Sequence, residues 1–440
     1  MEIPQQENAT EFGKLMETAL DAHHAGRLEE AELQYREVLR QSPDHPGATH
    51  FLGVLLHQKG ASDAGIVLAR KSIELAPQLA DWHNDLGNMF AAAQRPDEAA
   101  EAFLAALQIN RDNPLVWNNL GAVLLSGGQL EGALLSFENA IALDPAFEDA
   151  LNNLGNTLTL LGRTEAAAHS YCSAYVLRPD PAKPKQMLGS AYYMLGRIEE
   201  AAQVYRSWLQ EEPANPIARH LLAACTGQDV PERASDAYIE THFDHYAETF
   251  ESKLVDSLSY RVPEMVGEAL RDLAIPDATL NVLDAGCGTG LCGPHLAQYA
   301  RHLSGVDLSA NCLAVAAEKA VYDELVKAEL LEHLTATAGT FDLMVMADTL
   351  IYFGGLEKVI QATAKALGDG GLLIASVEEL AASNADFALN PSGRYSHRRE
   401  YLLALFTAAD LELHSLATID VRMELGQPVK GLLLVARKRA

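Results

Sequence analysis

Three glycines at alternate positions, Gly286, Gly288 and Gly290, directly follow a short apolar stretch of the chain. Because glycine has no side chain, a loop of this kind between a strand and a helix lets a ligand lie close to the backbone. Asp284 stands two residues before the first glycine, where a carboxylate would crowd a pyrophosphate but suits a cationic group. Asp307 follows the last glycine by 17 residues, and an acid at the end of a second strand can accept hydrogen bonds from two ribose hydroxyls. A simple turn does not explain both acids, and together they favour a cationic, ribose-bearing ligand over a dinucleotide.

The elements that must position this loop are strands and crossover helices. From residue 280 onward, short apolar stretches alternate with helical patterns, which is typical of a parallel sheet. The predicted strands are 281–285, 302–306, 325–328, 341–346 and 371–377, and 411–422 and 431–437 should form a final hairpin. A helix is predicted to begin at Pro294. The glycine loop then joins the first strand to this helix, and Asp307 lies at the end of the second strand.

The strings Val-Leu-Asp-Ala-Gly-Cys-Gly-Thr-Gly at 282–290 and Gly-Val-Asp-Leu-Ser at 305–309 resemble the class I methyltransferases, and the resemblance extends over residues 238–437. It implies a Rossmann-like α/β domain that binds S-adenosyl-L-methionine. In that family the glycines wrap the methionine and ribose, the acid after the second strand holds the ribose, and the next residue packs on the adenine. An acid and an apolar residue after the third strand contact the adenine edge. The corresponding cofactor-binding positions in this sequence are Asp284, Gly286, Cys287, Gly288, Gly290, Asp307, Leu308, Glu329, Leu330, Asp348 and Arg261.

The same resemblance indicates residues at the reacting end of the cofactor. Asp348 ends the fourth predicted strand, a place that usually faces the methionine and the substrate, and it is a catalytic candidate. Tyr246 is a second candidate, in a segment (242–250) similar to the helix that many small-molecule methyltransferases fold over the cofactor. The alternative is a helix that only packs on the sheet. Arg261 could pair with the cofactor carboxylate.

Beyond the fifth predicted strand, residues 392–399 form the clearest basic cluster of this half of the chain. This cluster could select an anionic or carbonyl-bearing acceptor, and His397 within it is the third catalytic candidate. A general base is needed only if the attacking atom carries a proton and is weakly acidic. The alternative is a helix start with solvated arginines. Other candidates for the general base in the same region are Glu378, Glu379, Arg394 and Tyr395.

The first half of the chain repeats with a period of 34 residues. Leu-Gly pairs, aromatic residues and small residues each keep this step; the pairs are Leu52-Gly53, Leu86-Gly87, Leu120-Gly121, Leu154-Gly155 and Leu188-Gly189. The pattern predicts pairs of antiparallel helices, in which the glycine allows close approach and the aromatic side chain fills the gap between neighbouring units. One unit cannot bury its own apolar face, so the units must stack. These markers resemble the tetratricopeptide repeat family, with six repeats over residues 12–215 and a capping helix after them.

This second resemblance implies a concave face that binds a protein or peptide. Asp85, Asn119 and Asn153 precede the Leu-Gly pairs of the middle repeats and should face inward. Asparagine side chains can donate hydrogen bonds to an extended peptide backbone and accept them from it. The alternative is that these side chains only hydrate the inner face.

Composition excludes several other functions. The net charge is −27 over 440 residues, with the acid excess spread almost evenly over both halves. Such a surface repels phosphate backbones, so no nucleic acid is expected as a partner. The five cysteines form no Cys-x-x-Cys pair, and no set of acids and histidines has ligand spacing, so we expect neither a disulfide framework nor a metal. No apolar run approaches the ~18 residues of a membrane span, and we expect a soluble, cytoplasmic protein.

The pattern divides the chain into a repeat solenoid, residues 1–231, and a methyltransferase domain, residues 232–440. The whole chain resembles a group of bacterial predicted methyltransferases that carry tetratricopeptide repeats. Two functions stay open: an active enzyme whose repeats recruit a partner, or an interaction protein with a degenerate catalytic half. The intact loop and Asp307 favour the first. The acceptor is a protein held by the repeats or a small molecule, and the string Asp-Thr-Leu-Ile-Tyr-Phe from Asp348 resembles small-molecule enzymes.

Overall fold

The chain folds into helical repeats followed by a mixed α/β sheet, which confirms the predicted fold class. The computed structural model describes residues 11–251, 259–273, 275–381, 383–424 and 427–439. Two compact units are present, Met1–Pro179 and Asp180–Ala440. The second unit contains the sheet and also the last helices of the repeat region.

The described part of the first unit is built from antiparallel helix pairs. The helices are α1 Glu11–His24, α2 Leu28–Gln41, α3 Pro46–Gln58, α4 Ser62–Leu75, α5 Ala80–Ala92, α6 Pro96–Ile109, α7 Pro114–Ser126, α8 Leu130–Leu143, α9 Glu148–Leu160 and α10 Thr164–Leu177. Besides the contacts within each pair, the first helix of one pair contacts the first helix of the next, as in α3–α5, α5–α7 and α7–α9. The first helices therefore line a common face of this unit.

In the middle repeats, the glycine of each Leu-Gly pair is covered by an aromatic ring. A Cβ atom at Gly87 would lie 2.6 Å from the ring of Phe103, and one at Gly121 would lie 2.6 Å from the ring of Phe137. No Cβ atom can approach a ring this closely, so only glycine permits this packing. The aromatic side chain, which we expected in the gap between neighbouring repeats, thus lies inside its own repeat against the glycine.

The second unit begins with three helices that continue the repeat pattern. They are α11 Lys185–Met194, α12 Ile198–Glu211 and α13 Pro216–Thr226. The later helices are α14 Asp236–Glu251, α15 Val262–Asp272, α16 Gly293–Leu296, α17 Ala310–Glu318, α18 Leu330–Ala336, α19 Glu357–Ala366 and α20 Arg399–Ala408, with a 3-10 helix at Leu350–Tyr352. The strands are β1 Leu280–Ala285, β2 Ala300–Asp307, β3 Glu324–Lys327, β4 Phe341–Met346, β5 Leu367–Glu379, β6 Phe387–Leu389, β7 Tyr395–His397, β8 Leu411–Glu424 and β9 Gln427–Lys438.

The strands form one sheet in the order β3-β2-β1-β4-β5-β7-β6, and β9 pairs antiparallel with both β5 and β8. Strands β1 to β5 are parallel to one another. The predicted strands and the final hairpin are confirmed, whereas β6 and β7 were not predicted. Strand β1 lies between β2 and β4, so the C-terminal ends of these strands meet at the switch point where open α/β sheets bind ligands.

Both faces of the central strands are buried, which explains their continuous apolar runs. Leu283 and Met344 belong to the core on one face of the sheet. Val282 and Val345 belong to the core on the other face. Burial on both faces fixes the positions of β1 and β4. Asp284 lies near the end of β1, and Asp348 lies two residues after the end of β4.

Helices α11 to α13 pack with the sheet region of the second unit. Tyr205 of α12 shares a buried cluster with Tyr238 of α14. His220 of α13 stacks on Tyr238, with ring centroids 4.0 Å apart, and its Nε2 donates to the carbonyl oxygen of Gly393 at 2.8 Å. The compact units divide after Pro179, before α11. The boundary at residue 231, where the repeat pattern ends, stays a prediction.

Candidate active site

A cavity of about 200 Å³ lies in the second unit, at the C-terminal ends of β1, β2 and β4. The glycine loop and the residues that follow β2, β3 and β4 form part of its wall. Helix α14 contributes Ile239, His242 and Phe243 to the same wall. The cavity therefore occupies the switch point of the sheet, where the sequence predicts a ligand.

The backbone of the loop has a shape that requires glycine. Gly286, Gly288 and Gly290 have φ values of 76°, 53° and 83°, a region that other residues rarely adopt. A Cβ atom at Gly286 would also lie 2.6 Å from the side chain of Thr349, whose Oγ1 donates to a β1 carbonyl at 2.7 Å. Gly286 and Gly288 line the cavity, and Gly290 packs against Tyr322. Loop shape therefore favours glycine at all three positions. Access to the cavity is a further reason at Gly286 and Gly288, and packing is a further reason at Gly290.

Asp307 joins the loop to the end of β2. Its Oδ2 accepts a hydrogen bond from the Gly288 N–H at 2.9 Å, and its Oδ1 accepts one from the Ser309 N–H at 2.8 Å. Burial raises the pKa of Asp307, and these backbone donors lower it. Each carboxylate oxygen retains a second lone pair, and the side chain lines the cavity. Asp307 can therefore accept two further hydrogen bonds from a ligand.

Asp284 is the other acid at the loop, and only 2% of its surface is exposed to solvent. Its Oδ2 accepts a hydrogen bond from the hydroxyl of Tyr322 at 2.6 Å. Burial raises the pKa of Asp284 to about 7; Tyr322 lowers this pKa and Asp307 raises it. A cation placed in the cavity would favour the ionised form of this carboxyl group.

Leu308, Glu329 and Leu330 lie together on the cavity wall, as the resemblance implies for the adenine region. Glu329 precedes α18, and its Oε2 accepts a hydrogen bond from the Glu332 N–H at 2.8 Å. Its Oε1 lies 3.8 Å from a guanidinium nitrogen of Arg233. One oxygen of Glu329 is therefore already used as a helix cap, and the apolar side chains are the free contact surface.

Comparison with known proteins agrees with this geometry. A family model described as a methyltransferase domain matches residues 282–371, which include the loop and Asp307. Models described as tetratricopeptide repeats match residues 17–80, 87–126, 123–162 and 182–225. The chain carries tetratricopeptide repeats and a methyltransferase domain.

Curated relatives resemble parts of the chain. A segment of 106 residues is 34% identical to the ubiquinone biosynthesis O-methyltransferase of Thiobacillus denitrificans and covers 23% of this chain and 45% of the relative. A segment of 105 residues is 30% identical to the 18S rRNA (guanine-N(7))-methyltransferase of Bos taurus and covers 24% of this chain and 37% of the relative. Each match spans less than half the length of the relative. Among solved structures, that of YrrB, a TPR protein with an unusual peptide-binding site, is 22% identical with a TM-score of 0.35 and covers 38% of this chain and 86% of YrrB.

In the methyltransferase domain, Asp348 lines the cavity just after β4. Its φ is 52°, a conformation that costs energy for residues other than glycine. Its N–H donates to Ser376 Oγ at 2.8 Å, and Ser376 Oγ donates back to Asp348 Oδ1 at 2.7 Å. Burial raises the pKa of Asp348, and Arg422, whose Nη1 lies 3.6 Å from Oδ2, lowers it. A strained backbone held in this way at a cavity is typical of functional sites.

Two arginines line the same cavity, the buried Arg422 and the half-buried Arg394. Arg422 pairs with Glu378, and Arg394 pairs with Glu378 at 3.0 Å and with Glu424. Together with Asp348, three carboxylates surround these two guanidinium groups. The predicted basic cluster thus reaches the cavity through Arg394, but no positive charge is left over to select an anionic acceptor. The Nε of Arg422 is buried without a hydrogen-bond partner among the described residues, so its N–H is left to donate to an oxygen atom.

His397 does not lie on the cavity wall. Its side chain is fully buried, and Nε2 donates to the carbonyl oxygens of Phe353 at 2.8 Å and Gly354 at 3.1 Å. Burial lowers the pKa of His397 to about 4, although the two carbonyls act in the opposite direction. The ring is therefore neutral near pH 7 and holds the turn that places Phe353 at the cavity. The expectation of a general base at His397 is corrected, because the ring is enclosed and its Nε2–H is already bound.

Two other predicted residues do not lie on the cavity wall. Arg261 is exposed just before α15, and its neighbour Tyr260 lines the cavity instead. Cys287 is 8% exposed and packs toward Gly305 behind the loop. The side chain of Tyr246 lies outside the described residues. The cofactor positions that the structure does bring together are those at the ends of β1, β2, β3 and β4.

Sequence reasoning missed three further residues of the site. Arg422 lies between Val421 and Met423 on the predicted final hairpin, with Asp420 and Glu424 close by, so the sequence does not set it apart. Thr289 belongs to the loop itself, and its Oγ1 is buried without a partner among the described residues. Tyr322 lies in the loop between α17 and β3, and nothing in its sequence context indicates that it reaches Asp284.

On the first unit, the three residues predicted to bind a peptide connect neighbouring repeats. Asn119 and Asn153 each donate an amide N–H to the Oδ1 of the asparagine 35 residues earlier, over 3.3 and 3.0 Å. At the same offset, the Oδ2 of Asp85 lies 3.0 Å from Nε2 of His50. These side chains share the face of the first helices, and one group of each is already used between repeats.

The described part of the chain offers no group of three or more His, Cys, Asp or Glu side chains that could hold a metal ion. Its five cysteines are free thiols. Of the helices among these residues, none has the length and apolar character that crossing a membrane requires.

Proposed function

We propose that this protein is an S-adenosyl-L-methionine-dependent methyltransferase. The observation that supports this most is that Asp284 and Asp307, at the ends of neighbouring strands, line one cavity with the glycine loop. Asp307 offers free lone pairs to two ribose hydroxyls, and Asp284 offers a buried carboxylate to an ammonium group. Leu308 and Leu330 supply apolar contacts for the adenine ring.

The residues present fit this cofactor. Thr289 Oγ1 is a buried hydroxyl without a partner among the described residues, and Thr289 lines the cavity. Leaving such a group unsatisfied costs about 1–3 kcal/mol. A polar group of the methionine part would satisfy it. Gly286 and Gly288 leave the loop backbone bare on the cavity side, so the methionine part can lie against it.

When bound, the cofactor supplies a methyl group that is open to direct displacement. The protein must then hold the acceptor atom in line at about 3–3.5 Å and exclude water. Tyr260 and Cys292 are buried and line the cavity with Asp348. Asp348 is our candidate for taking a proton from the acceptor, because its carboxyl group lies at the cavity and burial raises its pKa.

We propose a neutral small molecule as the acceptor, with its hydroxyl, amine or carbon atom next to the methyl group. The balance of two arginines against three carboxylates supports a neutral ligand over an anion. The unpartnered Arg422 Nε–H favours a carbonyl or hydroxyl oxygen beside the reacting atom. A protein held by the repeats is the second acceptor class, and mass spectrometry of co-purified material for a methyl mass gain separates the two.

Titration calorimetry of the full chain with S-adenosyl-L-methionine tests the proposal. We expect Asp307→Asn to weaken binding at least ~10-fold, since a charge-assisted hydrogen bond contributes about 1.5–3 kcal/mol. The control Asp277→Asn, at an exposed turn residue, should bind like the parent chain. If the parent chain binds no cofactor, the enzyme reading is wrong, and an interaction protein with a degenerate catalytic half is the function that remains.

We further propose that the repeats, as part of a solenoid over residues 1–231, bind a protein or peptide through the face of the first helices. Asp85, Asn119 and Asn153 lie on this face and keep acceptor lone pairs. A double variant, Asn119→Ala with Asn153→Ala, should lose partners in a pull-down. Asn139→Ala is the control, because this side chain bonds the carbonyl of its own helix at α8. If the double variant retains every partner, this face is not the binding surface.

A further inference from the structure

Tyr322 occupies a space that three glycines keep open beneath the loop. A Cβ atom at Gly293 would lie 2.8 Å from its ring, one at Gly290 would lie 3.0 Å away, and one at Gly305 would lie 3.1 Å away. Side chains at these positions would push the ring aside. The glycines after β1 and within β2 therefore serve Tyr322 as well as the ligand.

The hydroxyl of this tyrosine is aimed at Asp284. It donates to Oδ2 over 2.6 Å, and it is the only hydrogen-bond donor to that carboxylate seen among the described residues. Burial, and next the charge of Asp284, raise the pKa of Tyr322, so it stays a donor throughout the neutral range. The Oδ1 atom of Asp284 is left for a ligand, and the side chain lines the cavity.

Other titratable groups around Asp284 do not assist its ionisation. Asp307 on β2 repels a second negative charge. Cys287 in the loop, Cys292 after it and Tyr260 before α15 are buried and interact with Asp284, and burial raises the pKa of each. No lysine or arginine pairs with Asp284 among the residues that the structure describes. Tyr322 is therefore the group here that favours the carboxylate over the neutral acid.

We propose that Tyr322 is a positioning residue for the methyl donor: its hydroxyl fixes the Asp284 carboxylate at the cavity wall, ready for the donor's ammonium group. This inference rests on the proposed function, since it assumes that the cavity holds S-adenosyl-L-methionine. Below neutral pH, binding of the ammonium group must release a proton from Asp284 to solvent. Removing the phenol makes the acid harder to ionise, so binding should weaken most at low pH.

Calorimetry of the full chain with S-adenosyl-L-methionine between about pH 6 and about pH 8.5 tests this. The quantity of interest is the ratio of the Kd of Tyr322→Phe to that of the parent chain at each pH. We expect a ratio of about 10 or more at the acid end that falls to about 3 or less at the alkaline end. Tyr299→Phe is the control, because Tyr299 is buried in the same core, and its ratio should stay near one throughout.

A ratio for Tyr322→Phe that is the same at every pH would show a merely structural role and overturn the proposal. Asp284→Asn gives an independent test if Tyr322→Phe does not fold, since asparagine can accept the same hydrogen bond but does not titrate. Its Kd should lose the pH dependence that the parent chain shows below neutral pH, and if that dependence persists the proposal is wrong. Absence of binding by the parent chain at every pH would instead refute the proposed function itself.

Discussion

Tyr193 in α11, the first helix of the last repeat, donates a hydrogen bond to Oε1 of Glu424 at the end of β8, over 2.9 Å. The other oxygen of Glu424 pairs with Arg394, which lines the cavity. A repeat helix thus supports the wall of the candidate active site within one compact unit. The last repeat therefore serves the methyltransferase domain as a structural part.

A truncation experiment follows from this relationship. The fragment 180–440 keeps the Tyr193 hydrogen bond and the buried cluster that joins Tyr205 to Tyr238, so we expect cooperative unfolding like that of the corresponding part of the full chain. The fragment 232–440 loses this cluster and exposes its apolar side chains to water. We expect it to aggregate or to melt at a much lower temperature, as followed by circular dichroism. Equal melting temperatures for the two fragments would contradict the assignment of α11–α13 to this unit.

The glycine of the Leu-Gly pair should not tolerate a methyl group. In Gly121→Ala, the added Cβ atom would meet the ring of Phe137 at 2.6 Å, and overpacking of this kind costs about 1–3 kcal/mol. Gly127→Ala in the same repeat is the control, because its Cβ atom would meet its nearest neighbour at 3.5 Å. Thermal unfolding should therefore shift downward for the first variant and stay within a few degrees for the second. A parental melting curve for Gly121→Ala would show that the helices can separate without cost.

Asp284 should destabilise the cofactor-free protein at alkaline pH. Its pKa is raised by burial from 3.8 to about 7, so the folded chain holds this proton more tightly than the unfolded chain does. The resulting stabilisation is fully present below the ordinary pKa and is lost as pH rises through the folded value. Asparagine does not titrate, so the Asp284→Asn variant should not show this loss. The difference in unfolding free energy between variant and parent should therefore increase, in favour of the variant, by up to about 4 kcal/mol from acid pH to about pH 8. Denaturant titrations without cofactor measure this, with Asp277→Asn as a control whose difference should not vary with pH.

His397 should make the fold sensitive to acid and should not act as a base. Its pKa is lowered by burial from 6.5 to about 4, so the stability it contributes above the ordinary value is lost as pH falls through this range. His397→Gln keeps a donor for the carbonyl of Phe353 but does not titrate. When the pH is lowered from about 7 to about 4.5, the unfolding free energy of the parent should fall by about 2–3 kcal/mol more than that of the variant. Equal acid losses in variant and parent would show that the imidazole is not the acid-sensitive group.

Local sequence determined the parts of this protein that depend on short-range backbone preference and periodicity. The 34-residue step of glycines and aromatic residues indicated the helical repeats, since each pair of helices must present its apolar face to the next. The loop with Gly286 and Gly288 required a backbone that only glycine adopts readily. Asp284 and Asp307 could be placed at the cavity because the first lies near the end of a predicted strand and the second directly follows one.

The tertiary structure alone decided which later residues reach the cavity. Tyr322 meets Asp284 across 38 residues of sequence, and His397 turns to the backbone of Phe353 across 44 residues. Arg422 reaches Glu378 because β9 pairs with both β5 and β8. Such contacts depend on strand register and helix packing, and a one-residue change of register reverses the direction of every side chain in a strand. Spacing along the chain does not encode these distances, so the sequence predicted the cofactor loop but placed the general base at a buried histidine.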